Sequence, residues 1–198
     1  MSSTQRYTKV AVFLHWLIAL VIIAMFALGW YMGELPKDGP KQTAFDLFDL
    51  GIYTWQMDEP ASARTLYFNL HKSIGFTLFW LVLFRVYWRI RHIPPAMLAS
   101  YSVWERKAAT AVHHFLYLLM IAMPLSGILM TLYSKYGLKW FGMEVFGGLD
   151  NPDLRDLFKE SHELFATILL VIFIVHVVGA LKHWFVDKDE TMSRMFFK

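Results

Sequence analysis

The chain has 198 residues, 57% of them hydrophobic and 18% charged, with a formal net charge of +3 and a mean hydropathy of +0.40. That is too apolar for an ordinary soluble domain and fits a polytopic membrane protein with room for about four spans of roughly 20 residues. There is no cysteine, which excludes disulfides, cysteine-ligated iron–sulfur clusters and haem attached through thioethers. The basic residues form no run that would point to nucleic acid.

Residues 1–9 are polar. From Val10 to Trp30 every residue is apolar except His15 and Gly29, so a first span is expected over 10–33. It lacks a small-residue cleavage pattern and reads as a span, not a signal peptide. Gly29 and Gly33 make a small-residue pair that permits close helix approach. Residues 34–65 hold Pro36, Gly39, Pro40, Pro60 and six carboxylates among aromatics, and read as a loop outside the bilayer. Within it Thr43–Tyr53 is expected to lie as a short helix on the membrane surface. A second span covers 66–91, with His71 near its start and Arg85 and Arg89 near its end; His92-Ile-Pro-Pro stops it. A third span covers 105–133, with His113, His114, Gly127 and a kinking Pro124. A Gly- and Asp-rich loop, 134–153, leads through Asn151-Pro-Asp into a fourth span over 154–185, followed by a polar tail ending in Met-Phe-Phe before Lys198. The expectation is one all-α domain: an integral membrane four-helix bundle, up-down-up-down.

Four spans put both ends on one side. That side holds Arg6, Lys9, Arg85, Arg89, Arg91, Arg106, Lys107, Lys182, Lys188, Arg194 and Lys198, or 11 of the 19 basic residues. The excess of positive residues places the termini in the cytoplasm.

The histidines carry the chemistry. His162 and His176 lie 14 residues apart in one apolar run. On a helix that spacing returns to within ~40° of the same face, about 21 Å further along. An imidazole in a membrane span is costly and marks function. By depth, His15 matches His176 near the inner side, and His71 matches His162 near the outer side. Paired imidazoles on facing helices supply the two axial ligands of a six-coordinate b-type haem. The aromatic residues and 11 methionines would suit the surroundings of a flat apolar macrocycle, though most of them have lipid to face. His183 lies 7 residues past His176, within ~20° of its face, and could bond a quinone headgroup or carry protons. Of His113 and His114 at most one points inward. His92, beside the prolines, reads as a solvated loop residue. Arg85 and Arg89, one turn apart, could pair with haem propionates or with lipid phosphates. Lys72 could serve the outer side in the same way.

Several stretches resemble a known family: the His15-Trp16 opening of span one, His71-Lys-Ser-Ile-Gly, the Leu-Leu-Met-Ile-Ala-Met-Pro-Leu-Ser-Gly run, and His162-Glu…His176…Lys182-His183-Trp. They resemble bacterial cytochrome b561 and the wider group of di-haem cytochrome b subunits serving hydrogenases. The resemblance implies two b haems, an inner one on His15 and His176 and an outer one on His71 and His162. It also implies a quinone such as ubiquinone near the inner haem, in the inner membrane. Electron transfer between that quinone and an outer-face partner follows as the expected function, with superoxide oxidation as one activity known in such proteins. Residues 33–66 carry a net −3, which suits a cationic periplasmic redox protein better than an anion. A membrane anchor subunit of a larger dehydrogenase is the alternative. A metal-ion transporter fits less well, because no span carries a string of carboxylates and histidines through its middle.

Overall fold

The computed structural model describes residues 6–197; residues 1–5 and Lys198, counted above with the polar ends, lie outside the described residues, as do the side chains of Asp49 and Asp58. Four long helices dominate: α1 (Lys9–Glu34), α2 (Ala63–Arg91), α3 (Val103–Leu132) and α4 (Pro152–Lys182), the last continued by a π-helical turn over His183–Asp187. All four are long and apolar enough to cross a membrane.

Each start is set by local chemistry. Thr8, Ser62 and Asn151 each accept a hydrogen bond from a backbone N–H of the first turn, at Ala11, Thr65 and Leu154. Ser102 and Glu105 form a reciprocal capping box at α3. Pro152 opens α4, where no N–H is needed. α2 ends where His92 turns extended before Pro94 and Pro95. α3 runs as one helix through the buried Pro124.

α1 packs on α2, α2 on α3 and α3 on α4. The core between them joins Ile18, Ile22, Met25 and Leu28 of α1 to Tyr67, Leu78 and Val82 of α2, Leu119 and Met120 of α3, and Leu169 of α4. Leu169 is the one fully buried residue of α4. Among the described residues α4 therefore packs tightly against α3 alone and stands off from α1 and α2, leaving space inside the bundle.

The face away from the chain ends carries two hairpins. β1 (Lys41–Asp46) pairs antiparallel with β2 (Thr54–Ser62), and β3 (Leu138–Trp140) with β4 (Met143–Phe146). The first corrects the expected surface helix at 43–53. That segment is strand to Asp46, then a tight reversal through Leu47–Asp49, with Phe48 at φ 60° and Gly51 at φ 65°. The reversal is held by the Asp46 carboxylate accepting from the Gly51 N–H (2.7 Å) and by Tyr67 accepting from the Phe48 N–H (2.7 Å). A pairing partner ten residues on satisfies the backbone better than an isolated interfacial helix would. The second hairpin lies against α2. Ser73 Oγ accepts from the Phe141 N–H (2.9 Å) and Trp140 Nε1 donates to Thr77 Oγ1 (2.9 Å). Gly137 (φ 64°) has no room for a side chain, because a Cβ would run into the Phe146 carbonyl oxygen.

Of the small-residue pair in α1, only Gly29 sits against a neighbour: a Cβ there would lie 3.7 Å from His71 Cε1, whereas Gly33 faces open space. That distance is ordinary contact, so neither glycine is required by the packing of α1 on α2.

Candidate functional site

Towards the hairpin face, His71 of α2 and His162 of α4 point at one another across the gap, with ring centres 6.3 Å apart and planes at 77°. His162 Nδ1 lies 2.9 Å from the Met123 carbonyl oxygen and 3.1 Å from Ser126 Oγ. A carbonyl only accepts, so Nδ1 carries the proton and Nε2 is left with a free lone pair. Gly127 backs the ring: a Cβ there would stand 3.0 Å from His162 Cε1. Across the gap His71 Nδ1 is buried and has no hydrogen-bond partner among the described residues. The cavity around the pair measures about 70 Å³. Its walls are mostly apolar, with Met25, Phe76, Met120, Met123 and Leu138 among them and Lys72 as the one cation.

Towards the face with the chain ends, His15 of α1 and His176 of α4 have ring centres 6.1 Å apart and planes at 70°. His113 of α3 stands 5.4 Å from His176 on another side, while its neighbour His114 turns out and donates to the Thr110 carbonyl (2.7 Å). Only one of that pair faces inward, as expected. The cavity here is much larger, about 550 Å³, and Arg85, Arg89, Tyr117 and Arg194 all reach it. Arg85 Nη2 lies 3.1 Å from His15 Nδ1, and Arg89 sits over the Tyr117 ring at 5.3 Å.

The spacing of the two ring pairs has a chemical meaning. Two imidazoles bound trans to one transition metal, each by a bond of about 2.0 Å, have ring centres about 6 Å apart. Both pairs match that distance, and the 5.4 Å between His113 and His176 falls short of it. Within each pair the two histidines stand on helices that do not pack tightly against one another, α2 with α4 and α1 with α4, so a flat group can enter between them. The residues present therefore fit a b-type haem at each level, held by imidazoles alone.

His183 is placed elsewhere than at the cavity wall. At the end of α4 it lies against Tyr101, ring on ring at 4.5 Å. Its Nδ1 lies 2.8 Å from Asp189 Oδ2 and 3.0 Å from Asp187 Oδ2. Asp187 also meets Lys182 (2.7 Å), which bonds Glu105 (2.6 Å). Asp189 lies outside the spans. Burial alone would raise its carboxyl, but bonds from Thr191 and His183 outweigh it and hold the group below its ordinary range. Burial raises the Tyr101 phenol. His92 is exposed and stacked on Trp88 at 4.0 Å.

Sequence reasoning missed the tail. Trp16 Nε1 donates to the Met195 carbonyl (2.7 Å), Phe196 stacks on Trp16, and Arg194 donates to the Ala96 carbonyl (2.7 Å). The tail thus folds under the larger cavity. Arg194 Nε is buried there with no hydrogen-bond partner among the described residues. The Met-Phe-Phe ending of an otherwise polar tail was the one available signal.

A profile of the family described as prokaryotic cytochrome b561 matches residues 6–198. The chain is similar to a protein of Escherichia coli (strain K12) named cytochrome b561 homolog 2, 34% identical over 205 residues that cover 100% of this chain and 94% of that protein. Cytochrome b561 homolog 1 of the same organism is 26% identical over 192 residues, 96% of this chain and 97% of the relative. A Yersinia pestis protein named probable superoxide oxidase CybB is 27% identical over 197 residues, 98% of this chain and 97% of the relative.

Proposed function

The chain belongs to the prokaryotic cytochrome b561 family, multi-pass bacterial membrane proteins that transfer electrons across the bilayer and whose name implies b-type haem, and on that premise we propose that it carries electrons through two haems between an outer one-electron donor and a quinone at the inner face. The hairpin face is the outer one in this reading, and both chain ends are cytoplasmic, in keeping with the basic residues on that side. His71 and His162 hold the outer haem, and His15 and His176 the inner one. Bound there, each haem supplies reversible one-electron storage at iron with no proton or group transferred.

The observation that carries the reading is the pair of ring separations, 6.1 and 6.3 Å, both on α4. The protein's own groups prepare the outer level. Met123 fixes the His162 tautomer so that Nε2 is the ligand atom. The inner level requires one adjustment. A guanidinium only donates, so Arg85 uses the His15 Nδ1 lone pair and keeps the proton on Nε2. His15 would hold the inner haem through Nε2 only with its proton on Nδ1, and Arg85, with Arg89 and Arg194 nearby, would supply positive charge for an anionic haem carboxylate.

The quinone belongs in the larger cavity, about 550 Å³ against about 70 Å³ at the other pair. His113 and Tyr117 on its wall offer hydrogen bonds to a carbonyl oxygen. On the outer side, superoxide is supported by the name of the Yersinia pestis relative and by Lys72 in the cavity wall. The net −3 of residues 33–66 favours a cationic soluble redox protein as the second reading.

Reduced-minus-oxidised spectra with haem counted per chain test the assignment. His15→Ala and His176→Ala should lose one and the same centre, and His71→Ala and His162→Ala the other. A shared loss between His15→Ala and His71→Ala would overturn the pairing.

A further inference from the structure

Quinone chemistry at the inner face needs protons as well as electrons, and the larger cavity is largely apolar, with the tail along one side of it. We propose that the chain Asp187–His183–Asp189–Thr191–Tyr101 conducts protons between the inner aqueous phase and a quinone carbonyl in that cavity. The inference rests on the quinone reading above and adds the residues and the direction of its proton supply.

The groups stand side by side from the aqueous edge to the cavity wall. Asp187 is the most exposed member, with 29% of its side chain open, against 13% for His183 and 14% for Asp189. Asp187 Oδ2 and Asp189 Oδ2 lie on His183 Nδ1 at 3.0 and 2.8 Å. The other oxygen of Asp189 accepts from the Thr191 N–H at 2.8 Å, which sets Thr191 and its hydroxyl beside this carboxylate. Thr191 Oγ1 and the Tyr101 hydroxyl are 2.6 Å apart. Tyr101 and Thr191 both line the larger cavity, whereas His183, Asp187 and Asp189 do not. The line therefore starts at water, passes through groups that can each take up and release a proton, and ends on the cavity wall.

The surroundings hold the line in place without interrupting it. Lys182 ties Asp187 to Glu105, and Arg194 and Tyr7 are the further titratable groups near Tyr101. The Tyr101 ring lies flat on His183 at 4.5 Å and 15°, which fixes both. Reduction of one quinone takes two electrons, delivered singly by the outer one-electron donor, and two protons taken from the inner water. Each C=O becomes C–O–H, and two donor molecules are each oxidised by one electron. The hydroxyls of Tyr101 and Thr191 hand a proton on by turning, and the carboxylate–imidazole pair reloads them.

The test uses the full haem-loaded protein in liposomes, decylubiquinone as the quinone, and a pH-sensitive dye on the side of the chain ends. Thr191→Val keeps the side-chain shape and removes the hydroxyl; Tyr101→Phe does the same one step on. Both should keep the haem content, the Trp fluorescence of the docked tail and the equilibrium binding of decylubiquinone. Quinone-linked reoxidation and dye-reported proton uptake should fall together, on the order of tenfold to a hundredfold, more steeply as pH rises. Thr191→Ser should restore both, and added imidazole should partly rescue Asp189→Asn. Wild-type rates, pH profile and solvent isotope effect in Thr191→Val would overturn the relay while leaving the quinone site standing. So would a loss of quinone binding in step with rate, which would make the network a structural clasp. Failure of the wild-type protein itself to bind decylubiquinone would remove the quinone reading, and the relay with it.

Discussion

Gly127→Ala isolates the support of one ring. The new methyl would stand 3.0 Å from His162 Cε1 and 3.2 Å from Nδ1, so the ring must retreat by about 0.5 Å to reach ordinary contact. That retreat stretches the 2.9 Å bond from Nδ1 to the Met123 carbonyl past the ~3.2 Å at which such bonds weaken. Loss of a bond of this kind is worth about 1 kcal/mol, and loss of the orienting partner of a metal-bound histidine lowers metal affinity about 10- to 100-fold. The expected phenotype is selective. Haemin titration of haem-depleted protein should show one site weakened by that factor and the other unchanged, with the weakened site being the one His71→Ala abolishes. Gly33→Ala is the control: a Cβ there meets nothing within 4 Å, and both sites should bind normally. Two intact sites in Gly127→Ala, with unaltered spectra, would refute the placement of His162 as a ligand.

Three further outcomes follow from the same structure. Gly137→Ala should lower the melting temperature, since φ 64° and the Phe146 carbonyl both oppose a side chain; a cost of about 1–3 kcal/mol corresponds to several degrees in a chain of this size by differential scanning fluorimetry. Asp189 has its carboxyl depressed in the fold, so its stabilisation is complete above the ordinary carboxylate range and is lost as pH falls through that range; Asp189→Asn should melt below wild type at neutral pH, and the gap should close in acid. Electron entry should depend on salt: with residues 33–66 at net −3, added salt slows a cationic donor and speeds an anionic one, and stopped-flow haem reduction at increasing ionic strength decides between them.

What the amino-acid order reveals here follows from what helices in lipid must do. Apolar runs of span length can only be helices, so the four spans were legible. Fourteen residues is close to a whole number of turns, so His162 and His176 had to share a face. The first hairpin was not legible, because the partner of Lys41–Asp46 is chosen by pairing with Thr54–Ser62, a contact that no local pattern encodes. Arg85 could be placed in depth but not in aim; its position against His15 depends on how α1 and α2 are rotated about each other. The surroundings of His183 were not legible, because Tyr101 and Asp189 reach it from a connection and from the tail. Tyr101 and Thr191 come from segments 90 residues apart, and neither carries a motif.

Because His162 and His176 ride on a single unbroken helix, the length of that segment is constrained like a vernier. One residue added or removed between them swings one ring by about 100° away from its partner, and no adjustment of the loops can bring it back. Seven extra residues would nearly restore the direction but stretch the gap by about 10 Å, carrying one ring out of reach of the helix opposite. Natural variation in this protein should therefore gather in its hairpins, while the distance between these two residues stays fixed to the single residue.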